Sequence, residues 1–327
     1  MGLSRPRVQW VVRMSGGQRA QQLRTWSSAR SRRDRQSVGN IAYKTSLLFD
    51  GGFGVSDVDT VPGRSVKTYT RFVQGWGKRR MWQHAIRVFT QMQLEGCEPD
   101  TMTFGVMINT LAKGQQSYRS VKLMAEMLRL RLQPNVVIYS TVISACERGH
   151  QWQQALQFLE QVWQHGQQPD VIAYSAAISA CAKGGRDDKA LQLLAEMRQR
   201  GLQPNVITYN ATISACEKGR SWRRALELLT EMQHHGPEPN VITCNAAISA
   251  CEKGHCWPGA FALLAGMPQL GVRRDVITYN AVISSCEKGQ QWQLALGSLA
   301  EMRQRCLWPS VISYNSAISA CEKCAQW

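Results

Sequence analysis

The sequence predicts an all-α fold, a right-handed α-solenoid of stacked helical hairpins, and three observations carry that expectation. The phrase Ser-Ala-Cys-Glu-Lys-Gly, or a near copy, recurs at Ser144, Ser179, Ser214, Ser249, Ser284 and Ser319, each 35 residues after the last, so the chain is a tandem array. Within a unit the apolar residues are spaced nearer 3.6 than strict alternation. Each unit closes on a Pro-polar pair or its relic, as at Pro204-Asn205 and Pro239-Asn240. A single hairpin cannot bury its apolar faces, so neighbours must stack and share one elongated core.

The register gives seven full units, 66–100, 101–135, 136–170, 171–205, 206–240, 241–275 and 276–310, and a partial eighth over 311–327. In the unit 206–240, Val206, Ile207, Tyr209, Ile213 and Cys216 mark a first helix over Val206–Lys218 that ends at Gly219. Trp222, Ala225, Leu226, Leu228, Leu229 and Met232 form the apolar face of a second helix over Trp222–His234, stopped by Gly236 and Pro239. Trp82, Trp152, Trp222, Trp257, Trp292 and Trp327 all open second helices. That position suits packing anchors between helices, with base stacking as the sharper alternative.

Eleven cysteines resemble a disulfide or zinc inventory until they are laid on the repeat. Cys146, Cys181, Cys216, Cys251, Cys286 and Cys321 share one position on the apolar side of the first helix. Equivalent helices of adjacent hairpins sit roughly 8–10 Å apart, beyond the roughly 7 Å limit for bridged α-carbons, so these are small core fillers in a reducing compartment. Cys321 and Cys324 have C-x-x-C spacing, but no second ligand pair follows, so no metal is expected.

Charge divides the chain. Residues 1–65 carry 11 Lys and Arg against 4 Asp and Glu, which leaves the array 28 against 19, so the solenoid itself favours a polyanionic partner. The first 35 residues hold nine Arg, no Lys and a single acid, Asp34. Residues 1–40 therefore read as an organelle transit peptide, Arg richness favouring the mitochondrion over the chloroplast; a disordered basic arm that assists nucleic-acid binding is the alternative. Gly51, Gly52 and Gly54 mark residues 41–65 as a flexible linker. No apolar run of roughly 18 residues exists, which excludes a spanning helix.

No catalytic constellation and no cofactor site are found: the six His residues scatter over helix ends and turns without a repeated carboxylate or thiol partner. The chain stops at Trp327, inside a repeat, and a last helix without its partner exposes an apolar face. The expectation is that the natural protein runs further, or that a protein partner or second copy caps this end.

Thirty-five-residue hairpins that open on Val-Ile-Thr-Tyr-Asn, carry Ala-Leu in the second helix and close on Gly-x-x-Pro-Asn or Pro-Asp resemble pentatricopeptide repeats of the P class, over residues 66–327. The tetratricopeptide repeat has a 34-residue period and a different opening. The resemblance implies single-stranded RNA as partner, one base per repeat, read by the fifth and last residues of each unit. The fifth residues are Thr70, Gly105, Ser140, Ser175, Asn210, Asn245 and Asn280, with Asn315 in the fragment; the last are Asp100, Asn135, Asp170, Asn205, Asn240, Asp275 and Ser310. All but Gly105 are small hydrogen-bonding residues. Ionised Asp only accepts and suits the ring N–H of guanine and uracil; Asn also donates and suits adenine and cytosine. With the family's rule that a short hydroxyl at the fifth position leaves room for a purine, the expected target is 5′-GNGAYUC-3′. N-capping is the alternative reading of the last residues.

Two further columns follow from the resemblance. Met102, Val137, Ile172, Ile207, Ile242, Ile277 and Ile312 stand second in their units, where the family's aliphatics sandwich the base; Lys67 breaks the column in the first. Lys78, Lys113, Arg148, Lys183, Lys218, Lys253, Lys288 and Lys323 precede the turn and are assigned to the phosphate backbone, or serve the dipole at the helix C-terminus. Glu147, Glu217, Glu252, Glu287 and Glu322 precede these cations and point about 100° away, so they need not cancel them. The expected function is non-enzymatic, sequence-selective RNA binding in organellar RNA processing, stability or translation. A peptide-binding scaffold using the same surface is the alternative, and RNA cleavage would require a further catalytic domain.

Overall fold

A computed structural model describes residues 65–324; the leader, the linker and Trp327 lie outside the described residues. They form fifteen helices: α1 Val66–Lys78, α2 Trp82–Leu94, α3 Thr101–Lys113, α4 Ser117–Arg129, α5 Val136–Arg148, α6 Trp152–Gln164, α7 Val171–Lys183, α8 Asp187–Gln199, α9 Val206–Lys218, α10 Trp222–His235, α11 Val241–Lys253, α12 Trp257–Gly266, α13 Val276–Lys288, α14 Trp292–Gln304 and α15 Val311–Lys323. Odd-numbered helices are the first of each hairpin and even-numbered helices the second.

The first helices stack directly on one another from α1 to α15, and each second helix packs between its own first helix and the next. No Cα of a second helix comes within 8 Å of another second helix. Two layers spaced so unequally curve toward the closer one, which puts the first helices on the inner side. The second helices turn Ala225, Leu228, Leu229 and Met232, and their equivalents, inward; the first helices bury Tyr209, Ile213, Ala215 and Cys216 and their equivalents. The expected single core divides along α11. Ala247 and Ala250 join the N-terminal cluster, while Cys244, Ile248 and Cys251 join the C-terminal one. Cys244 stands where the other units place a tyrosine or, at Phe104, a phenylalanine, and α12 is the shortest of the described helices, with Pro258 in its first turn and Pro268 just beyond its end, so less side-chain volume is available to bridge this level.

Glycine ends the two kinds of helix for different reasons. After most second helices the stop is left-handed, with φ of 75° at Gly96 and 74° at Gly201, a conformation glycine adopts without a Cβ clash. After the first helices the glycine has an ordinary φ, −88° at Gly254, and the residue after it is left-handed, 57° at Arg220 and His255. What requires glycine there is space. A Cβ on Gly114, Gly184, Gly254 or Gly289 would come within 2.6 Å of the ring of Trp82, Trp152, Trp222 or Trp257, the residue opening the previous unit's second helix. The tryptophans are thus seated between units, against the next unit's first helix.

All eleven cysteines are free. Burial pushes the thiols of Cys146, Cys216, Cys251 and Cys286 up to about 12, and those of Cys181 and Cys244 up to about 11, so they behave as apolar filler at neutral pH. A thiol reagent at pH 8 should modify exposed Cys306 first and reach these six only on unfolding; prompt labelling of all six would refute the packing described. Gly254→Ala should cost about 1–3 kcal/mol through the Trp222 clash, whereas His255→Gly should gain about 1 kcal/mol by relieving the left-handed position, both read from urea denaturation.

Candidate nucleic-acid interface

The last residue of every full unit caps the first helix of the next. Side-chain oxygens of Asp100, Asn135, Asp170, Asn205, Asn240, Asp275 and Ser310 accept from the backbone N–H of Thr103, Ile138, Ala173, Thr208, Thr243, Thr278 and Ser313 at 2.8–3.3 Å. A backbone N–H can only donate, so the cap also fixes how each side chain is turned. In Asn205 and Asn240 the carbonyl oxygen is committed to the helix and the amide NH₂ is left over. In the aspartates one carboxylate oxygen serves the cap N–H and the second is left out of the cap; in Asp275 that second oxygen takes a 3.4 Å bond from Asn245 Nδ2. In Asp and Asn the cap therefore uses one polar atom and leaves the other outside it, whereas in Ser310 the single Oγ makes the cap.

The fold brings the fifth and last residues of a unit together. Ser140 Oγ donates to Asp170 at 3.0 Å, Asn245 Nδ2 to Asp275 Oδ1 at 3.2 Å and Asn280 Nδ2 to Ser310 at 3.4 Å. A third residue, missed by sequence reasoning, ties them to the next unit. Hydroxyls at the third position, Thr103, Thr208, Thr243, Thr278 and Ser313, are fully buried and lie 2.5–2.8 Å from Thr70, Ser175, Asn210, Asn245 and Asn280. In the asparagines this bond takes Oδ1, and the NH₂ of Asn245 and Asn280 turns to the last residue of its own unit. The signal was the Thr of the Val-Ile-Thr-Tyr-Asn opening, which periodicity assigns to the core and chemistry to the polar pair. The exceptions are explained by the same contact. Ile138 stands third where Gly105 is fifth in the unit before, and its side chain lies 3.2 Å from where a Cβ of Gly105 would be; Ala173 carries no hydroxyl, and Ser140 bonds Asp170 directly. Asn315, in the incomplete unit, is exposed and has no last-position residue to pair with.

Beside each polar pair stands an exposed aliphatic side chain. Met102, Val137, Ile172, Ile207, Ile242, Ile277 and Ile312 are 61–69 % exposed. Each lies three residues before the fifth position and therefore on the same helix face. Packing gives no reason for seven large apolar groups to face solvent at one register, and such a row is suited to covering by a ligand.

The cation column divides. Glu147, Glu217, Glu252 and Glu287 diverge from the cation next to them on their own helix, as expected, but stacking delivers each to the cation of the following unit. Lys183, Lys253, Lys288 and Lys323 meet them at 2.6–3.0 Å. Ser179, Ser249, Ser284 and Ser319 donate to the same carboxylates at 2.7–3.0 Å. Burial works against the charged form of Glu287, but the bonds from Lys323 and Ser319 outweigh it and hold this carboxyl below its ordinary value. The expectation that these acids leave the cations uncompensated is thus corrected. Gly77, Ala112 and Ala182 stand where the glutamate would face Lys113, Arg148 and Lys218; Arg148 instead donates to the Ala112 carbonyl at 2.6 Å.

Period, capping and the stacked hairpins can be set against known proteins. The PPR repeat family matches residues 64–113, 134–183, 169–218 and 204–253, and the pentatricopeptide repeat domain matches residues 262–323. The chain belongs to the pentatricopeptide repeat family. A pentatricopeptide repeat-containing protein of Arabidopsis thaliana is 40% identical over 63 residues, 19% of this chain and 11% of that protein. Among solved structures, nuclear proteinaceous RNase P 2 from A. thaliana superposes with a TM-score of 0.52 at 11% identity, covering 59% of this chain and 43% of that one. The pentatricopeptide repeat protein PPR10 from maize gives 0.46 at 20% identity, covering 82% and 48%. The chain thus spans less than half the length of each of these relatives. The family's arrangement of two helices per 35-residue unit is the one described above, and no described helix is long and apolar enough to cross a membrane.

Because an asparagine can still accept the Thr278 N–H, Asp275→Asn should leave the urea midpoint unchanged, whereas Asp275→Ala should cost about 1 kcal/mol of stability. Equal losses in both variants would contradict the separation of capping from reading.

Proposed function

We propose that this pentatricopeptide repeat array, of the P class, is a non-enzymatic, sequence-selective binder of single-stranded RNA that reads one base per unit. The observation that carries the reading is the recurring triplet at the start of each first helix. An exposed aliphatic such as Ile242 stands beside a fifth and a last side chain, Asn245 and Asp275, which bond each other through Asn245 Nδ2 at 3.2 and 3.4 Å and keep lone pairs on the carboxylate, Oδ2 above all, for a ligand. Aliphatic groups from successive units offer apolar surface to the two faces of a base, and the free polar atoms meet its Watson–Crick edge.

The expected target is 5′-GNGAYUC-3′, and cap geometry narrows its fifth base. Asn240 presents an NH₂ once its oxygen is bonded to Thr243 N–H. Cytosine offers that donor a ring-nitrogen acceptor, whereas uracil would set N–H against N–H, so Y is read as C. Asp275 Oδ2, which takes only the 3.4 Å bond from Asn245, retains accepting capacity and suits uracil at the sixth base. The Arg-rich, acid-poor leader supports an organellar, preferentially mitochondrial, site of action, in RNA processing, stability or translation.

Binding of the full chain to 5′-GNGACUC-3′, its scrambled form and the DNA equivalent tests the reading. The predicted RNA should bind best, and Asp275→Asn should shift the sixth-base preference from U to C by about tenfold, the worth of one charge-assisted hydrogen bond. Indifference to sequence together with tight binding of an extended peptide would instead identify a peptide scaffold.

A further inference from the structure

We infer that the array grips the RNA backbone at only some of its units, through Lys78, Lys113, Arg148 and Lys218, and that Glu147, Glu217, Glu252 and Glu287 act as resident counterions that withdraw Lys183, Lys253, Lys288 and Lys323 from the phosphates. This rests on the RNA-binding reading and names which of its cations act.

The two groups occupy the same repeat position and differ in one neighbour. Each withdrawn lysine meets a carboxylate one unit earlier, and that carboxylate, 17–23 % exposed in its side chain, is already fixed by a serine hydroxyl. A phosphate that approaches such a pair meets no net charge. It must also come close to an anion that the fold holds in place. Lys78, Lys113 and Lys218 are exposed and form no ion pair among the described residues, and Arg148 donates to a neutral carbonyl. Three of the four uncompensated cations lie in the first three units, so the electrostatic grip falls on the 5′ part of the target. The last two full units, which carry Lys253 and Lys288, would hold RNA by base contacts and the aliphatic row alone.

The unit 171–205 supplies a direct test. It carries Ala182 where its neighbours have Glu147 and Glu217, yet Ser214 and Lys218 stand 32 and 36 residues on, the same offsets that complete the ion pair elsewhere. Ala182→Glu should therefore install a counterion opposite Lys218 without removing any cation.

The salt dependence of RNA affinity counts the cations that displace counterions, about 0.7 in the logarithmic slope per contact on single strands. In the full chain bound to 5′-GNGACUC-3′, Lys218→Ala and Ala182→Glu should each make the slope shallower by about 0.7, Lys253→Ala should leave it unchanged, and Glu217→Gln, which frees Lys253, should steepen it by about 0.7. Circular dichroism melts confirm that each variant is folded, and Glu217→Gln keeps an oxygen for Ser249. Equal slope losses for Lys218→Ala and Lys253→Ala, with base preference intact, would overturn this inference and leave the RNA reading standing. Absence of base preference in the parent chain would remove both.

Discussion

The contact between one first helix and the next governs this molecule, because every functional row on it is made from residues contributed by two successive units. Trp222 lies against Gly254 of the unit after it and Thr243 against Asn210 of the unit before it, and Glu217 meets Ser249 and Lys253 one unit on. A larger side chain at the glycine would push α11 off α10, the second helix before it, and so disturb the stacking of α11 on α9 that makes the polar pair and the ion pair. The stacking distance is thus a shared constraint on stability and on the spacing of the binding face.

The same contact explains how a repeat of near copies can carry information. The cap holds the helix start in place whatever the last residue is, provided that it offers an oxygen to the third N–H. Asp, Asn and Ser all meet that condition, and they differ in what they leave facing outward: an acceptor, an NH₂ or a hydroxyl. The fold thus tolerates variation at the one atom that a base would touch. The fifth position is similarly bounded: Thr70, Ser175 and Asn210 each reach the buried hydroxyl of the next unit, and Gly105 is small where Ile138 fills that space.

Relations within a unit were legible in the sequence, and relations between units were not. The first helix over Val206–Lys218 and the second from Trp222 follow from apolar spacing and turn residues, and the structure extends the second by a single residue to His235. The second-position aliphatics are exposed, and the fifth and last side chains bond each other in the units 136–170, 241–275 and 276–310. Gly219 was read as a helix stop, and nothing in its own unit shows Asp187 of the unit before packed against it. Glu217 looked harmless to its neighbour Lys218, which is true, but its partner Lys253 lies 36 residues on. Thr243 carried no role in the sequence reading, and its place as a buried bridge emerges only when Asn210 is brought against it. The division of the core at α11 was hidden for the same reason, since Ala247 and Ala250 face one neighbour and Ile248 and Cys251 the other.

The central claim is that the inner face of the first helices binds RNA through side-chain atoms the caps leave free, and a crystal structure of the full chain with 5′-GNGACUC-3′ tests it most directly. A base should stack between Ile242 and Ile277, with its ring N–H on Asp275 Oδ2, the oxygen that bonds only Asn245, while Thr278 N–H stays bonded to Oδ1. RNA lying across the second helices, or a base contact that displaces the Asp275 cap, would contradict it.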